Sequence, residues 1–306
     1  MIDAEVAPAR PRALFSALLR PFTCIRVGEV CVLQGAPIIG ALFALKTLSS
    51  AALVPLVLLV AGNLCLVGHV FVLNDWAGIE TDMKDPTRSA RTFRTRGASP
   101  TEMGWLALAL LVAALGLFGS LGWGAFTIGA LIALLSALYS VPKLGGGKGV
   151  PLLSSILHLA GGVLHFLLGY AAVVSLSWGA VATGGFFGLV FAAGHLTHET
   201  RDHDGDRGSG IRTNAVAFGK QHSFFASLAL FALAYLLLAL LALNGIVPGP
   251  LAPAAMLGGA LHGLAALRAF RAGLTFDGLR RLQAFYRRLH GAIGLLMLFT
   301  ALPWRL

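Results

Sequence analysis

The sequence predicts an all-α, polytopic membrane protein: nine transmembrane helices around a central cavity, with the N-terminus cytoplasmic. Three observations predict it. The 306-residue chain is 57% hydrophobic and only 12% charged, where soluble domains carry roughly 25% charged residues. Its apolar residues gather into nine runs close to the ~20 residues that cross a bilayer as a helix. The charges between those runs fall almost wholly on one side.

The runs are 27–47, 52–74, 104–121, 123–141, 152–175, 178–195, 222–243, 250–267 and 289–304. Together they make residues 27–306 a single membrane domain. Residues 1–26 form a cytoplasmic N-terminal segment in which "RALFSALLRPF" reads as an amphipathic surface stretch. Its start, "MIDAEVAPAR", lacks the basic-then-apolar order of a cleavable signal. Of the 23 lysines and arginines, all but Lys46 and Arg305 fall before the first run or in even-numbered connections. Basic residues collect on the cytoplasmic side, so the N-terminus is expected inside and the C-terminus outside. The formal net charge of +10 is then a membrane bias that suits anionic lipid head groups, and no nucleic acid is needed to explain it. The thirteen acids lie on that same face or, for Glu29, at its edge. Cys24, Cys31 and Cys65 are too scattered for a metal cluster, and core packing is expected of each.

Polar chemistry begins at the end of the second run, "LNDWAGIETDMKDPTR" (residues 73–88), with Asn74, Asp75, Glu80, Asp82 and Asp85. A second polar mouth, "HLTHETRDHDGDRGSGIRT" (195–213), follows the sixth run, with Glu199, Asp202, Asp204 and Asp206. Steps of three and four residues put Glu199, Asp202 and Asp206 on one face of a continued helix, and Asn74, Gly78 and Asp82 share such a step. Like charges on one face repel by a few tenths of a kcal/mol per pair. Oxygen donors without sulfur suit Mg²⁺, which bridges one or two carboxylates to a substrate's phosphates. The rival reading is solvated loop charge balanced by arginines. A third polar loop, "ALYSVPKLGGGKG" (137–149), ends a helix on Tyr139 and Ser140, and Lys143 and Lys148 could hold phosphate as point charges.

Together the three loops resemble the UbiA superfamily of intramembrane prenyltransferases, over nearly the whole chain from "LRPFT" (19–23) onward. The family's NDxxDxxxD run with a following Pro-x-Arg reads here as Asn74, Asp75, Gly78, Asp82, Pro86 and Arg88. Its DxxDxxxD run reads as Glu199, Asp202 and Asp206, followed by Gly210, Arg212 and Thr213. Its Tyr-Ser/Thr-x-x-Lys matches Tyr139, Ser140 and Lys143. Two positions depart. Gly78 stands where a metal-binding Asp belongs, a gap for Asp75, Glu80, Asp85 or a water. Glu199 replaces an Asp. Arg91, Arg94 and Arg96 are additional and would change how the loop caps a phosphate.

The resemblance implies Mg²⁺-dependent transfer of a prenyl group from a polyprenyl diphosphate to an acceptor, most often an aromatic ring, with release of pyrophosphate. It implies metal ligation by Asn74, Asp82, Glu199, Asp202 and Asp206, of which Glu199 is close by or indirect. Arg88, Lys143, Arg212 and Ser140 would hold the diphosphate. Tyr139 would face the allylic cation, and Asp75 or the diphosphate would take the proton. The expected setting is a multi-pass protein of a bacterial cell membrane with its site facing the cytoplasm. A terpene cyclase of the same superfamily, a silent homologue and a transporter are the alternatives.

Polar residues inside the runs are functional candidates. His69 is placed to face the pocket or to pack. His158 and His165, seven apart, bind an acceptor hydroxyl or, as is commoner, hydrogen-bond a neighbouring helix. His195 and His198 lack the HExxH order of a zinc protease. His262 and His290 read as packing. "GLTFDGLRRLQAFYRRLHG" (273–291) reads as a basic interfacial helix leading into the ninth span.

Overall fold

The computed structural model describes residues 20–45, 49–84 and 86–302. Most of the N-terminal segment therefore lies outside the described residues, as do Lys46, Asp85 and Arg305. Every regular element among the described residues is helical. In chain order they are α1 (Val27–Val32), α2 (Gly35–Ala44), α3 (Ser50–Asp82), α4 (Pro86–Ser89), α5 (Pro100–Leu121), α6 (Trp123–Ser140), α7 (Leu153–Ala171), α8 (Trp178–Gly208), α9 (Asn214–Phe218), α10 (Lys220–Leu243), α11 (Leu251–Arg271) and α12 (Phe276–Ala301).

Seven described segments are long and apolar enough to cross a membrane, α1 and α2 together counting as the first and α10 as the last. The expectation was nine. The other two long helices fall short of that measure for a visible reason. α11 is rich in Gly and Ala and ends on Arg268 and Arg271, and α12 opens with Asp277, Arg280, Arg281, Arg287 and Arg288. The basic interfacial stretch and the ninth run are thus one continuous helix.

Local chemistry starts the helices. Ser99 and Glu102 form a reciprocal capping box at α5, and Ser177, Thr213 and Thr275 cap α8, α9 and α12 through their hydroxyls. Helix length then places the chemistry. α3 has 33 residues and α8 has 31, so at 1.5 Å per residue they run about 50 and 46 Å. A hydrocarbon core is about 30 Å thick. Each helix overruns it, and in each the overrun carries the carboxylates.

Close packing aligns those two helices with their neighbours. A Cβ on Gly169 of α7 would sit 1.7 Å from the Pro37 carbonyl oxygen of α2, and one on Gly188 of α8 would sit 2.7 Å from the Leu159 carbonyl oxygen of α7. Only glycine lets these backbones touch. The main core gathers Phe118, Phe166, Phe231, Tyr235 and Tyr286. A smaller one of Cys24, Ile79, Phe93, Met103 and Leu106 holds the 86–99 connection beneath the end of α3. Cys24 packs as expected and Cys65 is partly buried, but Cys31 is exposed on the outer side of α1, which corrects its core assignment.

Candidate active site

The first acidic mouth is the last three turns of α3. Asn74 donates to Ser140 Oγ at 3.3 Å, which ties α3 to the end of α6. Asp75 pairs with Arg26, whose Nε lies 3.2 Å from Oδ2. Exposed Glu80 pairs with Arg94 at 2.7 Å. Gly78 is not there for packing. A Cβ at that position would meet only Asp82 Oδ2, at 3.7 Å.

The second mouth is the overrun of α8. Asp206 is 5% exposed. Asp202 is held side-on by Arg201, Nε to Oδ1 at 2.6 Å and Nη2 to Oδ2 at 2.8 Å, and Arg201 also donates to Gln283 of α12 at 2.6 Å. The two mouths meet at Arg88. Its guanidinium lies 2.9 Å from Asp206, 4.0 Å from Asp202 and 3.7 Å from Asp82. Burial alone would lower the Arg88 pKa. The bond to Asp206 and the charges of Asp206, Asp202 and Asp82 outweigh that burial and hold it above the ordinary arginine value.

Glu199 is elsewhere. Its carboxylate, 5% exposed, accepts from Ser154 Oγ (3.2 Å), from the Asn214 backbone N–H (2.9 Å) and from Asn214 Nδ2 (2.8 Å). His195 Nε2 is 2.9 Å away, close but out of line for a good hydrogen bond. Asn214 Oδ1 accepts from the Leu152 N–H at 2.7 Å and so holds Leu152 at φ 65°, a conformation that costs a non-glycine residue about 1–3 kcal/mol. The knot joins α7, α8 and α9. At the position where the family pattern has an Asp, Glu199 is thus engaged by Ser154, Asn214 and His195.

The third loop divides its lysines. Gly145 and Gly146 take φ of 130° and 56°, values that favour glycine, and the turn lays Gly147 against the backbone of Tyr139. Lys148 is thereby brought close enough to act electrostatically on both Asp75 and Asp206. Lys143 is exposed, and so is Arg212. Of the additional arginines, Arg94 pairs with Glu80 and Arg96 donates to the Thr23 carbonyl at 2.9 Å, so both brace the loop.

Below the mouths lies a nest of rings. Tyr139 meets His158 edge-on, with centroids 5.0 Å apart, and His195 at 6.1 Å. His158 and His195 stack at 3.7 Å and 10°. His69 is not in this nest. Its Nδ1 bonds the Ala107 carbonyl of α5 at 2.8 Å. His262 bonds Tyr235 and His290 the Tyr286 carbonyl, as packing requires.

The structure therefore brings together Asn74, Ser140, Tyr139, Asp82, Arg88, Asp202 and Asp206. It leaves Lys143 and Arg212 at the rim. Sequence reasoning passed over Arg26, Ser154, Arg201, Asn214 and Gln283. Asn214 directly follows the family's Gly-x-Arg-Thr, the one signal that points at it. Among the described residues no three His, Cys, Asp or Glu side chains already form a metal cage. The donor set fits Mg²⁺ all the same. Three carboxylates surround one positive group, the donors are oxygens, and Mg²⁺ completes its shell with water and phosphate.

The model of the UbiA prenyltransferase family matches residues 35–285. No curated protein matches the chain. Among solved structures, a UbiA homologue from Archaeoglobus fulgidus bound to GPP and Mg²⁺ aligns at TM-score 0.66 and 16% identity, over 93% of this chain and 100% of its own. A digeranylgeranylglyceryl phosphate synthase aligns at TM-score 0.69 and 18% identity, over 94% and 98%. A UbiA homologue from Aeropyrum pernix K1 aligns at TM-score 0.69 and 20% identity, over 90% and 99%. At these identities the likeness is one of fold.

Proposed function

The chain belongs to the UbiA prenyltransferase family, and on that premise we propose that it transfers a prenyl group from a polyprenyl diphosphate to an aromatic acceptor and releases pyrophosphate, with Mg²⁺ as cofactor. The observation that carries this reading is the convergence of Asp82, Asp202 and Asp206, from two overrunning helices, on the one guanidinium of Arg88. Three carboxylates around one cation form a site that exchanges charge with an incoming metal–diphosphate complex.

The oxygens of Asn74, Asp82, Asp202 and Asp206 would hold Mg²⁺. When bound, the metal neutralises the diphosphate and makes it a better leaving group. Arg88 turns from the carboxylates to the phosphate oxygens, in the bidentate manner open to a guanidinium. Lys148 adds a point charge from the loop, and Lys143 and Arg212 attract the anion at the rim. Ser140 fixes the amide of Asn74. Tyr139 lies between this charged mouth and the rings beneath, where its face meets the positive carbon as the C–O bond breaks. The surrounding helices keep that carbon from water. The acceptor ring supplies the electron pair of the new C–C bond, and its displaced proton goes to Asp75 or to the diphosphate. All nine long apolar stretches cross the membrane, α11 and the latter half of α12 included, with the mouth in the cytoplasm of a bacterial cell.

The test is pyrophosphate release from geranyl, farnesyl and geranylgeranyl diphosphates by purified protein, with Mg²⁺ or EDTA. Mg²⁺-dependent release that rises with an aromatic acceptor supports transfer. Release indifferent to every acceptor supports the cyclase alternative. No release from folded protein rejects both.

A further inference from the structure

We propose that the cytoplasmic ends of α11 and α12 bind the head group of an anionic phospholipid; this goes beyond the transferase reading and rests only on the placement of α11 and the latter half of α12 across the membrane. Each helix buries one face in the bundle, with His262 and Ala266 on α11 and Leu282, Tyr286 and Ile293 on α12. The opposite faces are exposed and share one pattern. On α11, Leu257, Leu261, Leu264, Arg268 and Arg271 follow at steps of four and three residues, all exposed, and so form a single stripe. On α12 the exposed stripe is Arg281, Phe285, Arg288, Ala292, Leu295 and Phe299. In both, an apolar stripe that faces lipid becomes an arginine stripe at the cytoplasmic end. Arg268 follows Leu264 by four residues and Arg288 precedes Ala292 by four, about 6 Å of helix in each case. That puts both guanidiniums within side-chain reach of the head-group layer.

The charge balance of this hairpin points the same way. From residue 251 onward the chain has one acid, Asp277, and it pairs with Arg280 at 3.3 Å. Arg287 turns inward and lies 3.1 Å from His198 Nε2 on α8. Arginines that brace the fold elsewhere each have a carboxylate: Arg26 has Asp75, Arg94 has Glu80 and Arg201 has Asp202. Arg268, Arg271, Arg281 and Arg288 have no hydrogen bond or ion pair among the described residues. Four such cations at the edge of hydrocarbon repel one another until an anion joins them. A lipid phosphodiester offers oxygens that match the guanidinium fork, and its acyl chains lie along the apolar stripes. Basic pockets between helices on the cytoplasmic side hold acidic head groups for this reason. A free phosphate satisfies the charge but leaves the stripes unused.

The experiment titrates the full chain, in a neutral detergent, with dioctanoyl phosphatidylglycerol, dioctanoyl phosphatidylcholine and glycerol 1-phosphate, followed by calorimetry. Each arginine near an acidic lipid strengthens binding by about fivefold, so phosphatidylglycerol is expected to bind at least tenfold tighter than phosphatidylcholine. Glycerol 1-phosphate, the head group without chains, should bind far more weakly. Replacing Arg268 and Arg288 together by Gln should weaken phosphatidylglycerol by about 10- to 30-fold and leave phosphatidylcholine unchanged. Replacing the same two by Lys should keep most of the preference. Lys84→Gln with Arg91→Gln removes equal charge from exposed positions off these stripes and should change it less than twofold. A preference that survives the double Gln variant, equal binding of the two lipids to the unaltered protein, or binding of neither, would overturn the proposal. Equal and tight binding of both lipids would keep the stripes in lipid and remove only the head-group site. Glycerol 1-phosphate binding as tightly as the lipid would make the patch an aqueous anion site and reject the membrane placement of the hairpin as well. None of these outcomes depends on prenyl transfer.

Discussion

The ends of α3 and α8 are alike in plan and unlike in the folded protein. Each is a helix that overruns the hydrocarbon core and carries acids on the overrun, with Asn74, Gly78 and Asp82 at four-residue steps on α3 and Asp202 and Asp206 at one on α8. At the α3 end the acids are relieved one at a time, by arginines from other segments: Asp75 by Arg26, Glu80 by Arg94, Asp82 by Arg88. Glu80 stays exposed, Asp75 and Asp82 are half-buried, and Gly78 leaves one step empty. At the α8 end two of the acids are built in, while Asp204 stays exposed beside Lys220. Glu199 and Asp206 are 5% exposed, and Asp202 is clamped by an arginine that also reaches α12. A periodic acidic motif thus says where charge will be, and the neighbours decide whether each charge is a ligand, a brace or a counter-ion. Asp82, Asp202 and Asp206 converge on Arg88, while Glu199 is engaged by Ser154, Asn214 and His195.

The largest expected effect tests that convergence. Asp82→Ala and Asp202→Ala should each lower Mg²⁺-dependent pyrophosphate release by about 10²–10³-fold, the size of losing one preorganised electrostatic contact. Asp75→Ala, which removes the ion pair with Arg26 and a proton acceptor that the diphosphate can replace, should cost much less. If Asp75→Ala proves as severe as Asp202→Ala, the division between the mouths fails.

Next comes the knot. Glu199→Ala strands the Asn214 amide and the Ser154 hydroxyl in a buried place, at about 1–3 kcal/mol for each unsatisfied group. Its thermal unfolding midpoint should drop by several degrees, and Glu199→Asp, too short to span the same donors, should drop as well. A Glu199→Ala protein that melts normally but no longer binds Mn²⁺, followed by electron paramagnetic resonance, would return this residue to the metal.

A smaller gain is expected from filling the empty step. There is room for Gly78→Asp, since its Cβ meets only Asp82 Oδ2 at 3.7 Å, and a non-glycine residue stabilises a helix interior by roughly 0.5–1 kcal/mol. The Mg²⁺ concentration for half-maximal pyrophosphate release should fall several-fold. An unchanged or higher requirement would mean that the α3 end is complete without that carboxylate.

The smallest effect separates the two lysines. Lys148→Met should raise the donor KM by about three- to tenfold, the range of a partly screened charge contact. Lys143→Met, at the exposed rim, should change it less than twofold. The reverse order would show that the loop turns over when the diphosphate arrives.

Sequence alone determined a good deal here. Length and hydropathy set the helical membrane class, because a backbone in lipid must satisfy its own hydrogen bonds. Charge placement put the polar chemistry at one face. Local spacing was legible too: the four-residue step put Asp202 and Asp206 on one face of α8. Those features depend on residues a few positions apart. The rest depended on approach between distant segments, for which spacing carries no signal. That Arg88 sits among three carboxylates 6, 114 and 118 residues away was decided by how α3 and α8 pack. That Lys148 and not Lys143 overlooks the mouth was decided by two glycines turning the loop. Glu199 shows the limit most clearly. Its side chain differs from aspartate by one methylene, and only the tertiary structure, by setting Ser154, His195 and Asn214 around it, decided that this carboxylate ties α7, α8 and α9 together.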